Sequence, residues 1–182
     1  MKKVIFVVLL LICWTNVFSQ NDSIVFDDKG EFSRVVVVKA SAKQAFQYSR
    51  AFLSNKIKEY QKAVQFEDAE AYKIQVNTQF FFKENAKAIP SGQPVFTGYE
   101  LFKFSVDCKD NKIRVKIENP TYNYDLSVGN MKFDSRKNQP YFLVLSGVAD
   151  KQHFLDSRSS YYRYYINSLV KYIEKQVSEE DF

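Results

Sequence analysis

The sequence predicts a single α+β domain in which an antiparallel meander sheet carries two helices on one face. Three observations predict this fold class. An amphipathic helix with a capping motif begins near residue 41, segments between residues 63 and 128 alternate apolar and polar side chains, and a long aromatic helix comes last. Alternation with a period of two is typical of a sheet that buries one face, so helices are expected to cover that face.

The first predicted elements are a strand and a helix. Four consecutive valines at residues 35–38 favour a strand that is buried on both faces, and we place it at the centre of the sheet. Ser41 and Gln44 have the spacing of a capping box, which satisfies free amides where a helix starts. Apolar side chains then recur at three- and four-residue steps as far as Tyr60, which predicts a helix of about five turns.

The period changes to two after this helix. A short strand at residues 63–66 and a turn at residues 67–70 precede a long strand, in which Ile74, Val76, Thr78, Phe80 and Phe82 alternate with mostly polar side chains. The later predictions are a loop at residues 84–94, a strand that buries Phe102, Phe104, Val106 and Cys108, a tight turn at residues 110–111, strands at 113–117 and 122–128, a polar connection at 136–139, a strand at 141–148 and a helix from about Ser157 to Val177.

Residues 1–19 have the layout of a secretory signal peptide. Lys2 and Lys3 precede an apolar run, and small Ser19 marks a cleavage point before Gln20. We therefore expect export to the periplasm or beyond, with residues 20–182 as one domain. The apolar run is shorter than the ~20 residues that span a bilayer, so we expect no transmembrane segment in the mature chain. Ile12 occupies the position before Cys13 where a lipobox has a small residue, which argues against lipid anchoring there.

Removal of this leader changes both the cysteine count and the charge. Of two cysteines only Cys108 remains, which excludes an internal disulfide. Loss of Lys2 and Lys3 leaves 24 basic residues against 21 acidic ones, so the formal charge falls from +5 to +3. A charge this mild gives no reason to expect nucleic acid as a partner.

A family resemblance adds to this interpretation. Its residues lie at 32–39, 41–44, 65–68, 72–74, 99–106 and 111–114. These stretches resemble exported Bacteroidetes proteins classed as a domain of unknown function with a TBP-like fold, and the likeness is strongest over residues 32–120. The resemblance implies a β-α-β(4+)-α order, and it implies neither an activity nor DNA binding. A helix-grip fold, in which the last helix closes a curved sheet over a cavity, stays open as the alternative.

The side chains that commonly carry catalysis are sparse. His153 is the one histidine, so a triad or zinc site based on histidine is not expected. Cys108 is expected to be a small apolar residue on the inner side of its strand. Glu67, Asp68 and Glu70 are interpreted as a solvated turn, because a calcium loop needs more oxygen ligands and a glycine. We therefore expect no enzyme activity, no cofactor and no metal.

The candidate interaction residues lie on the polar face of the predicted sheet. They are Lys73, Gln75, Gln79, Phe81, Lys103, Arg114 and Lys116. Phe81 breaks the polar pattern and is either exposed or covered by the loop at residues 84–94. The tyrosines of the last helix either pack on the sheet with Tyr164 outside or form a contact surface of their own.

We hypothesise a non-catalytic binding or interaction module of the cell envelope that uses this polar face and the loop at residues 84–94. The partner would be an envelope protein, a glycan or a small hydrophobic ligand. The alternative hypothesis is a carrier of a hydrophobic ligand with a helix-grip fold, which requires a cavity of ~300 Å³ or more. Enzyme chemistry at Glu67, Asp68 or Cys108 is the third possibility, and it requires these residues to line a pocket.

Overall fold

Six strands and four helices follow one another in this computed structural model, which describes residues 24–90 and 92–180. The strands are β1 Phe32–Val37, β2 Val64–Asp68, β3 Lys73–Asn85, β4 Val95–Lys109, β5 Lys112–Val128 and β6 Met131–Pro140. The helices are α1 Ala42–Lys56, α2 Tyr60–Ala63, α3 Tyr141–Gly147 and α4 Lys151–Glu180. The predicted leader and its cleavage point lie outside the described residues.

All six strands form one antiparallel sheet in the order β1-β5-β4-β3-β2, with β6 also paired to β5. β5 pairs with β4 along one edge, and along its other edge β1 pairs with the first half and β6 with the second half. The meander from β3 to β5 and the tight turn between β4 and β5 confirm the predicted arrangement. β6 was not predicted, since residues 136–139 were interpreted as a polar connection.

β1 is an edge strand, so the prediction of a central strand buried on both faces was wrong. It pairs with β5 alone among the described strands, and Val35 and Val37 are 45% and 69% exposed. β-Branched side chains favour the extended backbone on either face of a sheet. A run of valines therefore specifies a strand without specifying its place in the sheet.

Residues 141–148 were predicted as a strand, and this prediction was also wrong, because they contain α3. Tyr141 and Val144 are buried three residues apart, whereas Phe142 and Leu143 between them are exposed. This spacing places one side of a helical turn against the core. A short apolar run does not distinguish a strand from a helix by its period, so contacts distant in sequence decide the conformation.

The two long helices were predicted, and their bounds differ from the prediction. α1 begins at the expected capping box, where the Ser41 side chain accepts from the Gln44 amide and the Gln44 side chain accepts from the Ser41 amide. It ends at Lys56 rather than near Tyr60, because Glu59 has a left-handed backbone and the separate turn α2 follows. α4 has 30 residues and is longer at both ends than predicted.

The core lies between the helices and one face of the sheet. α4 buries one side chain every three or four residues, namely Phe154, Arg158, Tyr162, Ile166, Leu169 and Ile173. Phe80 of β3 stacks on Tyr161 with ring centroids 4.4 Å apart, and Phe102 of β4 meets Tyr162 edge to face at 5.2 Å. These rings fill the space between α4 and the sheet that a helix-grip cavity would need.

Tyr164 is 70% exposed, while the other tyrosines of α4 are at least partly buried, which fits the first of the two alternatives, packing on the sheet with Tyr164 outside. Within the described ranges, none of the helices combines the length and the apolar character that crossing a bilayer would require.

Candidate interaction surface

The sheet face opposite the helices, called the open face below, carries all seven candidate interaction residues. Side chains that pair directly across neighbouring antiparallel strands lie on the same face. The register pairs Lys73 with Asp107 and Asp107 with Arg114, and it pairs Gln75 with Ser105 and Ser105 with Lys116. Gln79, Phe81 and Lys103 follow at even spacing along β3 and β4. The structure therefore brings the predicted residues together on one surface.

The middle of the open face is a hydrogen-bonded polar cluster. Ser105 Oγ donates to Glu118 Oε2 at 2.7 Å, and Gln75 Nε2 donates to Ser105 Oγ at 3.1 Å. Lys116 Nζ lies 3.6 Å from Asp107 Oδ2. Two of the candidate residues, Gln75 and Lys116, therefore have partners within the chain.

An aromatic pair lies further along the same face. Phe81 and Tyr99 are register partners, and their rings meet edge to face with centroids 5.7 Å apart. They are 55% and 45% exposed, so the loop at residues 84–94 does not cover Phe81. That loop turns towards the helices instead, because the Lys87 amide donates to the Gly147 carbonyl at the end of α3. Tyr99 was not among the predicted residues, although its odd position on β4 would have placed it here.

A basic cleft lies at the other end of the open face, where the β4–β5 turn closes. Its volume is about 250 Å³. The residues that line it are Val35, Ala71, Lys73, Asp107, Cys108, Lys109, Lys112 and Arg114. Lys73 and Arg114 were predicted as interaction residues, whereas Lys109 and Lys112 were not. These two lysines flank the predicted tight turn, and that position makes them direct neighbours across the hairpin.

The turn that carries these two lysines is fixed to the start of α1. Asn111 has a positive φ of 62°, which an asparagine tolerates better than most residues. Its amide donates to the Ala40 carbonyl at 2.9 Å, and Asp110 Oδ1 accepts from the Ala42 amide at 2.8 Å. The backbone between Lys109 and Lys112 is therefore hydrogen-bonded to the start of α1 at the rim of the cleft.

The residues considered for catalysis lie apart from one another. Cys108 is buried in the core, and burial raises the pKa of its thiol to about 12. His153 Nε2 lies 3.7 Å from Glu84 Oε2 at the start of α4, and burial raises the pKa of the Glu84 carboxyl. The Cys108 thiol is therefore not a thiolate at neutral pH.

The acidic turn has structural partners. Glu67 Oε1 pairs with Arg50 Nε at 2.8 Å, and Asp68 Oδ1 accepts from the amides of Glu70 and Ala71. In the part of the chain that the structure describes, no three His, Cys, Asp or Glu side chains group closely enough to hold a metal ion.

Comparison with known proteins addresses the fold of this chain. The family model described as a domain of unknown function (DUF4468) with TBP-like fold matches residues 32–123, which is 92 of the 182 residues and runs from β1 into β5. No curated protein matches the chain.

Two crystal structures are similar to it. One is a TBP-like protein from Parabacteroides distasonis, with 15% identity, a TM-score of 0.53 and coverage of 85% of this chain and 98% of that chain. The other is a DUF4468 family protein from Bacteroides ovatus, also with 15% identity, a TM-score of 0.43 and coverage of 65% of this chain and 66% of that chain. At such identity a structural likeness bears on the fold alone, whereas the family model covers half of the chain. The chain therefore belongs to the DUF4468 family and has a TBP-like α+β fold.

Proposed function

We propose that this protein is an exported, non-catalytic binding module of the cell envelope, and that it contacts its partner through the open face of the sheet. The Phe81–Tyr99 pair carries this proposal. Both rings are about half exposed and pack against each other on a face that is otherwise mostly polar. Aromatic rings with this exposure are typical of the anchors of interaction surfaces.

The environment of the reactive side chains supports a binding role over an enzymatic one. A nucleophilic cysteine needs a lowered pKa and access to substrate, whereas burial raises the pKa of Cys108 to about 12. Glu67 and Asp68 hold Arg50 and the turn backbone instead of facing a pocket with Cys108. The aromatic packing between α4 and the sheet gives the carrier alternative no support, so we propose binding at the surface.

Photo-crosslinking in intact cells tests this function. A photoreactive phenylalanine analogue replaces Phe81 in the full chain, and the matched control carries it at Tyr164, which is 70% exposed on the helical side. We expect a discrete crosslinked product from position 81 and none from position 164. Equal products from both positions, or none from position 81, would contradict the proposal.

Export is proposed from the layout of residues 1–19 and has its own test. Fractionation of cells that express the full chain should place it in the envelope or the medium, cleaved before Gln20. A chain with Lys2→Glu and Lys3→Glu lacks the basic start that signal peptides need and should be retained uncleaved. Uncleaved wild-type protein in the cytoplasm would contradict export without bearing on the open face.

A further inference from the structure

The basic cleft is lined by four cationic side chains and one carboxylate, Asp107, which stands opposite Lys73 and Arg114 across the strands. Within residues 24–90 and 92–180, the ion pairs do not include Lys73, Lys109, Lys112 or Arg114. Lys109 and Lys112 also stand directly opposite each other on β4 and β5. Like charges in that arrangement destabilise a sheet, so folding alone gives no reason for this pair.

Three carboxylates of the open face make contacts with side chains other than these four cations. Asp107 lies beside Lys116, and Glu118 accepts from Ser105. Asp125, further along β5, pairs with Lys132 at 2.8 Å. An anion that enters the cleft therefore meets four cations against the single lining carboxylate of Asp107, next to a turn that is hydrogen-bonded to the start of α1.

The size and the walls of the cleft indicate what kind of anion fits. Its volume of about 250 Å³ is below the ~300–1,000 Å³ of pockets that enclose a whole small molecule, so the cleft suits one unit of a longer ligand. Val35, 45% exposed, lines it beside Arg114 and offers an apolar contact next to the positive charges. A sugar ring with a carboxylate presents both features, an apolar C–H face and an anionic group.

We propose that the cleft binds a uronate unit of an anionic polysaccharide, with Arg114 and the lysines contacting the carboxylate and Val35 contacting the ring. This inference rests on the proposed binding role of the open face and names the ligand class. The Phe81–Tyr99 pair lies on the same face, eight residues from Lys73 along β3, which is roughly 26 Å at ~3.3 Å per residue. A polymer that occupies the cleft can therefore also reach the aromatic pair.

Binding of polygalacturonate oligosaccharides to the chain from Gln20, measured by calorimetry, tests this assignment. We expect binding that weakens as salt rises, because exposed charges are screened. Fully methyl-esterified oligosaccharides should not bind, since they keep the sugar rings and lack the charge. The double variant Lys109→Gln, Lys112→Gln should bind at least about tenfold more weakly, because both cations lose their contact with the anion.

The matched control removes two exposed lysines from α4 by Lys151→Gln and Lys171→Gln, and it should change the affinity less than about twofold, since both lie on the helical side. Arg114→Lys keeps the charge but loses the planar fork, so an intermediate loss is expected. Thermal unfolding verifies that each variant is folded.

Absence of polygalacturonate binding would overturn the assignment, and so would three further results. They are unchanged binding in the Lys109→Gln, Lys112→Gln variant, equal weakening in the control, and binding of poly-glutamate or of phosphatidylglycerol vesicles as tight as that of polygalacturonate. The last result would mean that the cleft recognises charge on a peptide or a membrane. A crosslink from position 81 without polygalacturonate binding would leave the proposed function intact and remove only the ligand class.

Discussion

Arg158 and Glu100 form an ion pair inside the core, with side chains that are 1% and 0% exposed. Arg158 Nε donates to both carboxylate oxygens at 3.1 and 2.8 Å, and Tyr162 Oη donates to Glu100 Oε1 at 2.7 Å. Arg158 Nη2 donates to the Gly30 carbonyl, and the guanidinium lies 4.1 Å from the ring centroid of Phe26. Burial opposes the charge on Arg158, yet the Glu100 carboxylate raises the pKa of the guanidinium. The pair thus joins β4, α4 and the segment before β1.

Breaking this ion pair from one side should strongly destabilise the protein. Glu100→Gln or Arg158→Met leaves one buried charge without its partner, which costs about 3–5 kcal/mol of unfolding free energy. The double variant Glu100→Gln, Arg158→Met should cost clearly less than the sum of the two single changes, because neither charge remains. Urea unfolding monitored by circular dichroism measures each value.

The surface ion pair between Lys132 and Asp125 is the control for this experiment. Lys132→Met should change stability by no more than about 1 kcal/mol, since both side chains are about half exposed. If the two core single variants cost as little as Lys132→Met, the charges of Arg158 and Glu100 would not be buried together in solution.

Gly98 marks a close approach between β4 and β5, and Gly98→Ala should destabilise the sheet there. A Cβ at this position would lie 2.0 Å from the Asn123 carbonyl oxygen and 2.6 Å from Tyr124 Cα, both of which are backbone atoms. Because backbone cannot move aside as a flexible side chain does, we expect a cost on the order of 1–3 kcal/mol in urea unfolding. Thr97→Ala on the neighbouring position should stay within about 0.5 kcal/mol of wild type. If the Gly98→Ala protein were as stable as the Thr97→Ala protein, β4 and β5 would have to lie further apart at Gly98 than they do in this structure.

Stability should fall between about pH 10 and pH 12, because several tyrosines ionise more readily in the unfolded chain. Burial, then the nearby Glu100 charge, raises the pKa of Tyr122 and Tyr162, and burial with Glu67 raises that of Tyr60 from 10.0 to about 12. The fold favours the protonated forms of these tyrosines. Their contribution to the free energy of unfolding is therefore complete below about pH 10 and is lost as pH rises through the folded-state pKa.

Tyrosinate absorbance during alkaline titration, together with urea unfolding at each pH, checks this expectation. The Tyr60→Phe variant should lose less stability than wild type between about pH 10 and pH 12, since it lacks one of the tyrosines whose pKa is raised in the fold. Simultaneous titration of all 12 tyrosines near pH 10 while the protein stays folded would refute it.

The thiol of Cys108 should react only when the protein unfolds. In the chain from Gln20, Cys108 is the one cysteine, and its burial both blocks access and raises the pKa of the thiol to about 12. A disulfide reagent should therefore label it in denaturant and not in buffer. The control combines Cys108→Ala with Ser54→Cys at an exposed position on α1, which should react at once. Rapid labelling of native Cys108 would place it in an open site.

The elements that the sequence predicted well are those with strong local signals. The capping box at Ser41 locates the start of α1, and the alternation through Phe80 and Phe82 assigns the faces of β3, including the exposed position of Phe81. Cys108 lies on the buried side of β4 for the same reason. Glu100 was missed, although it is in phase with buried Phe102, because a charged residue in a buried register requires an opposite charge that the sequence does not identify.

The candidate surface was also predicted only in part, because some of its features follow from local sequence patterns and others from contacts between residues far apart in the chain. Alternation predicted that Lys73 and Arg114 share a face, since each strand assigns its own side chains. The cleft exists because β4 and β5 bring Lys109 and Lys112 together and because β1 lies at the edge with Val35 exposed. The run of valines did not predict the strand order, because such a run is compatible with both an edge strand and a central strand.

Local side-chain patterns were thus sufficient for the α+β class, the strand faces, the capped helix and the seven residues of the polar face. The edge position of β1, the helical state of residues 141–147, the Arg158–Glu100 pair and the basic cleft depend on contacts between residues far apart in the chain. Short segments have several conformations of similar energy, and burial against distant partners selects among them. The same long-range packing decides which charges form ion pairs, so the clustering of four cations in the cleft depends on the folded sheet.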